Sequence, residues 1–372
     1  MRKIALVTST RADYGILSRL ITMLDMSEDV DFLLLVTGTH LSEKYGMTKT
    51  EISQKIYKEV DIEIEESPSH ALALAVEKFS SIFKNEHPDL VVLLGDRYEI
   101  MGVAQAAMLN NIPSAHLFGG DTTEGAIDEA IRHCITKMSH LHFTSCEAYR
   151  TRVIQLGESP DRVYNFGSLA IDNIKHIKLM EKFELETSLG FSFAKRNLLI
   201  TFHPVTLEGN CTAQIVELLK ALDTLTDTNL IFTMPNSDDG SDEISKALKE
   251  YAIKRENVKI FTSLGMRRYL SCMKYVDAVV GNSSSGIYEA PSFKIPTINI
   301  GSRQKGRLQS SSIINCEPNK DDILKAINIA YSTDFSKTQN IYEKPNTAEE
   351  ILNVLLNIDI SNILKKKFYN LK

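Results

Sequence analysis

No apolar stretch of this 372-residue chain approaches the ~20 residues that a membrane-spanning helix needs. The N-terminal apolar run, Ile-Ala-Leu-Val at 4–7, is too short for a signal peptide and has no cleavage pattern after it. Only five cysteines are present, none in a Cys-x-x-Cys pair, and their odd number argues against a disulfide framework. We therefore expect a reducing, cytoplasmic location without membrane attachment.

The sequence also lacks an excess of positive charge. Its 42 Lys and Arg residues are outnumbered by 48 Asp and Glu residues, so the formal net charge is -6. A general nucleic-acid-binding role is not expected, and any anionic ligand must be met by local cations. No group of residues has the spacing of a metal site, so neither a metal nor another cofactor is predicted.

Short apolar runs alternate with amphipathic segments, a pattern typical of parallel β-α-β units. The predicted strands are 3–8, 31–37, 90–95, 112–117, 198–202, 230–234, 258–261, 278–281 and 297–300, and a further strand is predicted around 140–142. The predicted fold class is α/β, with two doubly wound, Rossmann-like domains facing a cleft. We place the domains at 1–170 and 171–347, and expect the helical tail at 348–372 to pack on the N-terminal domain. The basic run Lys365–Lys367 is interpreted as a solvated helix end.

Polar residues follow the predicted strands at their carboxyl ends, where ligands bind in doubly wound sheets. Arg11 and Asp13 follow the first strand and suit an anion, although a loop with a capping Asp fits equally. His40 follows the second strand, where a lone histidine is more often structural. Asp96 and Arg97 follow the third strand. A carboxylate there can have a raised pKa and act as a base, whereas the alternative is an Asp96 that caps the next helix and pairs with Arg97.

The fourth strand is followed by two glycines, which allow a ligand close to the backbone, and then by many charged residues. The spacings of Asp128 with Arg132 and of Glu129 with His133 are i, i+4, so each pair is expected on one helix face. One or two acids should do chemistry, and the others should be helix-start charges stabilised by the dipole. The charged residues of this segment are Asp121, Glu124, Asp128, Glu129, Arg132 and His133.

In the second half, His203 follows a predicted strand and is a candidate general acid or phosphate ligand. The most specific element is the Gly-Asn-Ser-Ser-Ser-Gly loop at 281–286, between a strand and a predicted helix. Its amides, hydroxyls and helix dipole suit a diphosphate, and Glu289 behind it can accept from ribose hydroxyls. Arg303, in a basic loop after the last strand, adds a cation; the alternative for that loop is a solvated surface turn.

Taken together, these segments resemble the hydrolysing UDP-N-acetylglucosamine 2-epimerases. The match runs in order from residue 1 to about 310. The matching segments are 10–13, 95–97, 127–129, 131–133, 203–204, 281–286 and 303–304. The resemblance implies a glycosyltransferase-B-like fold and a homodimer. It also implies conversion of UDP-N-acetylglucosamine and water to UDP and N-acetylmannosamine, the first step towards sialic acid.

The resemblance also implies roles at matching positions. Asp96 and Asp128 match catalytic acids, and His40 and His203 match functional histidines. Phe118 stands where some relatives carry a catalytic Glu, so Asp121 or Glu124 is expected to take that role. Arg97, Arg132 and His133 complete the catalytic candidates. The UDP-binding candidates are Arg11, Asp13, Asn236, Ser283, Ser284, Gly286, Glu289 and Arg303.

Several functions remain open at this point. His-Pro-Val-Thr at 203–206 favours the hydrolysing branch, because non-hydrolysing relatives show His-Arg-Arg-Glu-Asn there. Within that branch, a subgroup acts on UDP-2,4-diacetamido-2,4,6-trideoxyglucose towards legionaminic acid, and the sequence does not separate the two substrates. A glycosyltransferase and a non-catalytic UDP-sugar-binding protein are the rival functions. In the glycosyltransferase case, the acidic segment would have no obvious purpose.

Overall fold

A computed structural model of the protein describes residues 1–123, 127–204, 211–235, 241–253 and 255–371. These residues form two compact units, 1–173 with 342–372 and 174–341. Each unit holds one parallel sheet with interleaved helices, which confirms the predicted α/β class and the two Rossmann-like domains. In these ranges no helix is both long enough and apolar enough to cross a membrane.

The first unit begins with alternating strands and helices. In chain order they are β1 (Arg2–Thr8), α1 (Arg11–Asp25), β2 (Val30–Thr37), β3 (Lys58–Val60), α2 (Pro68–Glu86), β4 (Leu90–Leu94), α3 (Tyr98–Leu109), β5 (Ser114–Leu117), α4 (Ile127–Met138), β6 (Leu141–Thr144), α5 (Glu147–Gln155), β7 (Val163–Asn165) and α6 (Leu169–His176). The sheet has the order β3-β2-β1-β4-β5-β6-β7. The sequence analysis missed β3 and β7, since each has only three residues and lies at a sheet edge.

Strand β4 shows why the central strands read as continuous apolar runs. All five of its residues are buried. Leu90, Val92 and Leu94 point into one hydrophobic core, whereas Val91 and Leu93 point into the other. A strand that is covered by helices on both faces has no solvent-facing side, so alternation of polar and apolar residues is absent.

The second unit has the same architecture. Its elements are α7 (Lys182–Leu189), β8 (Arg196–Thr201), α8 (Cys211–Leu222), β9 (Thr228–Thr233), α9 (Ser241–Ala252), β10 (Val258–Phe261), α10 (Gly265–Met273), β11 (Ala278–Gly281), α11 (Ser284–Tyr288), β12 (Thr297–Ile300), β13 (Ile313–Cys316) and α12 (Lys320–Ser332). The sheet order is β10-β9-β8-β11-β12-β13, and all its pairs are parallel. Edge strand β13 was not predicted, because none of its residues is fully buried.

The chain then returns to the first unit through α13 (Thr347–Asn357). The apolar pattern of the tail predicts a helix as far as Leu364, but α13 ends at Asn357. The interpretation of Lys365–Lys367 as a solvated helix end was wrong for Lys366. Its ammonium donates to the carbonyls of Lys137 (3.0 Å) and Ser139 (2.5 Å) and pairs with Glu158 at 2.7 Å. The last carbonyls of a helix have no helical partners, and Lys366 satisfies those at the end of α4.

Candidate functional site

The first unit presents its polar residues where the strand order reverses. Strand β1 lies between β2 and β4, so the loops after β1 and β4 leave the sheet side by side. Such a switch point is the usual ligand site of a doubly wound sheet. Ser9 and Thr10 follow β1, and Gly95, Asp96 and Arg97 follow β4.

Arg132 of α4 is the centre of a hydrogen-bonded network, which we call the Arg132 network. Its side chain is only 2% exposed. It donates to the carboxylate of Asp96, to Glu129 Oε2 (2.7 Å), to Thr123 Oγ1 (2.6 Å) and to the Asp121 carbonyl (2.6 Å). A buried guanidinium with this many acceptors holds the Asp96 loop, the residue 121–123 loop and α4 in one arrangement.

The predicted pairing of Arg132 with Asp128 was therefore wrong. Arg132 pairs with Glu129, three residues earlier, and with Asp96 of another loop. The other predicted pair is observed, since His133 Nε2 lies 3.4 Å from Glu129 Oε1. Carboxylates on the same helix and on other loops compete for one guanidinium, and a buried guanidinium pairs with those whose geometry is best.

Asp128 and Glu129, which lie in the first turn of α4, differ in their proton affinity. Burial and the negative charge of Asp96 raise the pKa of Asp128. Burial alone would raise the pKa of Glu129, but the hydrogen bond from the Thr123 amide and the charge of Arg132 outweigh that effect, so the pKa is lowered. Glu129 is thus held as an anion, whereas Asp128 takes up a proton more readily. Two carboxylates with divergent pKa values are a pattern typical of acid–base sites.

Asp121 is placed differently from the other acids. Its Oδ1 accepts a hydrogen bond from Ser145 Oγ at 3.1 Å, while its carbonyl accepts from Arg132. It therefore links the loop after β5 both to α4 and to the residue that follows β6. Glu124, the other replacement predicted for the acid missing at Phe118, lies outside the described residues. Phe118 itself has a positive φ of 64°, a strained conformation for an aromatic residue.

The alternative role for Asp96, as a cap of α3 paired with Arg97, was wrong. The N-cap of α3 is Arg97, and no side chain caps that helix. Arg97 pairs instead with the fully buried Glu99. Asp96 is 29% exposed and is oriented by Arg132. A partly exposed carboxylate that a buried cation holds in place is available to a ligand.

Two histidines of the first unit are held by both ring nitrogens. The ring of His40 lies between the hydroxyls of Thr8 (3.1 Å) and Thr48 (2.9 Å), and burial lowers its pKa to about 4. His116, which the sequence analysis did not single out, contacts the Gly95 carbonyl at 2.7 Å and Thr136 Oγ1 at 3.1 Å. A carbonyl only accepts, so His116 Nε2 carries the proton and Nδ1 accepts from the threonine. Burial lowers its pKa to about 3, which keeps it neutral.

The two candidates after β1 also differ. Arg11 is half-exposed and lies 3.6 Å from Glu51. Asp13 accepts from Ser9 Oγ at 2.8 Å, and burial raises its pKa to about 6 against the lowering effect of Arg97. The cap of α1 is Thr10, whose hydroxyl accepts from the Asp13 amide. The capping function predicted for an Asp thus belongs to Thr10.

The second unit has its own switch point, between β8 and β11. His203 follows β8, and Asn282 follows β11. The Asn282 side chain accepts from the His203 amide (2.7 Å) and donates to the His203 carbonyl (2.8 Å). This reciprocal pair fixes the backbone of His203 independently of the imidazole. Burial, with the charge of Arg303, lowers the pKa of His203 to about 3, so its imidazole is neutral.

Asn282 also anchors the loop after β12. Its carbonyl accepts from Arg303 (3.2 Å) and from the buried Gln304 (2.7 Å). The residue before it, Gly281, has φ 132°, and a Cβ there would lie 1.9 Å from the Thr201 carbonyl. Only glycine fits this position. Asn282 thus joins three loops at one end of the sheet, a role that the sequence analysis did not assign.

The Gly/Ser loop is followed by a short helix. Helix α11 has five residues, with Ser283 as its N-cap, so the predicted helix dipole is small. Gly286 packs against Thr297, whose hydroxyl donates to its carbonyl at 2.8 Å, and a Cβ would lie 2.6 Å from that side chain. Gly286 therefore has a packing reason to be glycine. Ser283 and Ser284 are both partly exposed.

Glu289 ends this segment. Burial raises its pKa, and its Oε2 has no hydrogen-bond partner among the described residues. A buried carboxylate oxygen of this kind is able to accept a hydrogen bond from a ligand hydroxyl. Asn236, the remaining candidate of this unit, lies outside the described residues. Within those residues, no group of three or more His, Cys, Asp or Glu side chains has a geometry that would hold a metal ion.

Comparison with known proteins gives consistent matches along the chain. A family model described as UDP-N-acetylglucosamine 2-epimerase matches residues 22–356. A Campylobacter jejuni protein named GDP/UDP-N,N'-diacetylbacillosamine 2-epimerase (hydrolyzing) is 42% identical, covering 100% of this chain and 99% of its own. Escherichia coli polysialic acid biosynthesis protein P7 is 41% identical, covering 100% of this chain and 98% of its own.

A third relative and a solved structure extend the match. Legionella pneumophila UDP-N,N'-diacetylbacillosamine 2-epimerase (hydrolyzing) is 36% identical, covering 98% of this chain and 99% of its own. The crystal structure of a Neisseria meningitidis UDP-GlcNAc 2-epimerase bound to UDP-GlcNAc has a TM-score of 0.81 at 17% identity, and covers 96% of this chain and 100% of that one. At that identity, the likeness to the solved structure shows the shared fold.

Proposed function

The chain belongs to the UDP-N-acetylglucosamine 2-epimerase family as a hydrolysing 2-epimerase of nucleotide-linked amino sugars, and from this premise we propose that its substrate is UDP-N,N'-diacetylbacillosamine. The products would be UDP and 2,4-diacetamido-2,4,6-trideoxymannose. The observation that carries the proposal is the high identity over the full length to two relatives named for that sugar. UDP-N-acetylglucosamine is the second candidate, because the family model that matches residues 22–356 is described as UDP-N-acetylglucosamine 2-epimerase.

The reaction needs an acid–base site and a site for the leaving group. A carboxylate takes the proton from C2 while the C1–O bond breaks, and the electron pair of that bond leaves with UDP. The resulting C1=C2 double bond then adds water, with hydroxyl going to C1 and a proton to the opposite face of C2. Because the C2 proton is only weakly acidic, its removal must be coupled to departure of the diphosphate.

Asp128 is our choice for the base. Its raised pKa makes it a better proton acceptor than Glu129, while Asp96, oriented by Arg132, would handle the second proton transfer. His40 would hold the loop after β2 as a neutral donor. Asp121 would act through loop position, since it is bound to Ser145.

The second unit would hold the nucleotide. The hydroxyls of Ser283 and Ser284 and the guanidinium of Arg303 would bind the diphosphate, and Glu289 would accept from the ribose. His203 would contact the phosphates, and their negative charge would raise its pKa so that it can donate a proton. Arg11, Asp13 and Asn236 remain candidate UDP ligands.

The test is proton NMR of the purified enzyme in heavy water with three donors: UDP-N,N'-diacetylbacillosamine, its GDP counterpart and UDP-N-acetylglucosamine. We expect the first donor to give free UDP and a manno-configured sugar with deuterium at C2, at the highest kcat/KM of the three. The GDP donor is included because the Campylobacter relative is named for both nucleotides. Preference for UDP-N-acetylglucosamine would replace the proposal by the second candidate.

Two variants assign the acids. Asp128→Asn and Asp96→Asn should each lower kcat by ~10² or more while UDP still binds. The matched control is Asp25→Asn, which removes an exposed carboxylate at the end of α1. Near-normal turnover of either site variant would remove that residue from the mechanism.

The proposal also covers the oligomeric state and the cellular location of the enzyme. We expect it to work as a homodimer in a reducing cytoplasm, which agrees with the four cysteines of the described residues being free thiols. Light scattering should give twice the chain mass of 41.7 kDa. A monomer at micromolar concentration would contradict the dimer.

A further inference from the structure

A cavity of about 850 Å³ lies in the second unit at the carboxyl ends of β12 and β13, against α12. This volume is in the range of small-molecule sites, roughly 300–1,000 Å³. None of Ser283, Ser284, Glu289 and Arg303, which we assign to the nucleotide, lines it. The cavity is therefore separate from the residues that the proposed reaction uses.

The loop after β12 gives the cavity its cations. Lys305 and Arg307 both line it, and Lys305 is exposed and makes no ion pair among the described residues. On the opposite wall, Asp322 is already paired with Lys325 at 3.0 Å. Glu317 is the remaining acid and is exposed. The loop side of the cavity thus has two cations, of which Lys305 has no carboxylate partner among the described residues, and this arrangement suits a small anion.

The remaining lining suits a hydroxylated or acylated sugar. Three amide side chains form a connected row: Asn299 donates to Asn315 at 2.7 Å, and Asn315 donates to Gln309 at 2.7 Å. Ile314 and the half-exposed Ile329 supply apolar surface beside them. Amide groups next to an apolar wall and a cation are the usual composition of a site for a polar metabolite.

The cavity is connected to the nucleotide residues by hydrogen bonds. Arg307 donates to Gln304 Oε1 at 2.7 Å, and the amide of Gln304 donates to the Asn282 carbonyl at 2.7 Å. Asn282 in turn holds both backbone groups of His203. A ligand that draws Arg307 away from Gln304 therefore perturbs the residue that positions His203 and Arg303.

We propose that this cavity is a second ligand site, which binds a sugar-sized anion carrying one phosphate or carboxylate and changes the affinity of the enzyme for UDP through Arg307, Gln304 and Asn282. The anion would contact Lys305 and Arg307, and the sugar hydroxyl and amide groups would contact Asn299, Asn315 and Glu317. The proposal does not depend on which nucleotide sugar is the substrate. It requires only that the enzyme binds UDP.

Binding is tested by calorimetry on the full-length enzyme saturated with UDP. The probes are N-acetylglucosamine 6-phosphate, glucuronate and neutral N-acetylglucosamine, so that the phosphate and carboxylate sources are separated. We expect one of the two anions to bind with one site per chain and the neutral sugar to bind more weakly. Lys305→Glu should weaken binding of the anion by about fivefold or more, because it reverses an exposed charge that contacts the anion. The matched control, Lys249→Glu on the exposed face of α9, should leave binding unchanged.

The coupling is tested by measuring the Kd of UDP with and without saturating probe. We expect a change of about fivefold in the wild-type enzyme. In Gln304→Leu, the probe should still bind but the UDP affinity should no longer respond. Failure of both anions to bind, equal binding by Lys305→Glu, or competition between the probe and UDP would each overturn the proposal. Turnover of the nucleotide sugars is measured separately, so a wrong substrate assignment would be recognised independently.

Discussion

Replacement of Arg132 by Met is the sharpest test of how the first unit works. The substitution keeps the length and apolar stem of the side chain but removes four hydrogen bonds, two of them to carboxylates. Breaking a fully buried ion pair costs about 3–5 kcal/mol. The side chains of Asp96 and Glu129 are 29% and 28% exposed, so water can solvate them once Arg132 is gone. We therefore expect the free energy of unfolding to fall by about 2–4 kcal/mol. In a unit of roughly 200 residues this lowers Tm by about 5–15 °C.

The same substitution changes the pH dependence. Arg132 lowers the pKa of Asp128, so its removal raises that pKa further. A base with a higher pKa is protonated, and inactive, at a higher pH. The acidic limb of kcat/KM should therefore move upwards, and activity at about pH 6 should fall more than activity at about pH 8. Arg132→Lys keeps the positive charge but loses the planar guanidinium that donates to several acceptors at once, so its acidic limb should shift by an intermediate amount.

The assay combines thermal unfolding with a pH–rate profile, and its matched control is Arg19→Met. Arg19 is 19% exposed and pairs with Asp172 at 2.8 Å and with Glu349, away from the Arg132 network. This control should lower Tm but leave the acidic limb where it is. If Arg132→Met showed the same pH profile as Arg19→Met, our account of Asp128 would be refuted.

Three further predictions concern the second unit. Gly281→Ala should abolish UDP binding or yield misfolded protein, because the new Cβ would lie 1.9 Å from the Thr201 carbonyl. Its control is Gly190→Ala, where no atom lies within 4 Å of the new Cβ, and this variant should lower the free energy of unfolding by only about 1 kcal/mol. Asn282→Ala should weaken UDP binding by about tenfold or more in calorimetry, since the amide and the carbonyl of His203 lose their partner. An unchanged Kd would contradict the anchoring role of Asn282. UDP binding near pH 6 should take up a proton, because the diphosphate raises a His203 pKa that is about 3 without ligand; calorimetry in buffers of different ionisation enthalpy measures this uptake, and its absence would separate His203 from the phosphates.

The location of both sites was predictable from the sequence. Asp96 and His203 each follow a continuous apolar run, and such runs are parallel strands covered on both faces. The carboxyl ends of these strands lie beside those of β1 and β11 in the two sheets. Strand periodicity and the rule on switch points were therefore sufficient to indicate which loops hold the candidate site residues.

The partners within those loops were not predictable. Arg132 and Asp128 have the i, i+4 spacing that favours an ion pair on an isolated helix, yet Arg132 binds Asp96, which is 36 positions away in the chain. A helical pair of this kind contributes only about 0.2–0.5 kcal/mol. A charged hydrogen bond at a buried site contributes several times more. The tertiary partner therefore prevails, and sequence spacing has no information on where that partner lies.

His116 and Asn282 show a second reason. Both act on backbone atoms: His116 contacts the Gly95 carbonyl, and Asn282 binds the amide and the carbonyl of His203. Nearly every residue has these backbone groups, so the residue types of Gly95 and His203 do not indicate that a side chain binds their backbone. The residue that sets the position of a candidate site residue thus has no signature in the sequence around that residue. It follows that the loss of Asn282 should resemble the loss of His203 itself in UDP binding, although Asn282 need not touch the nucleotide.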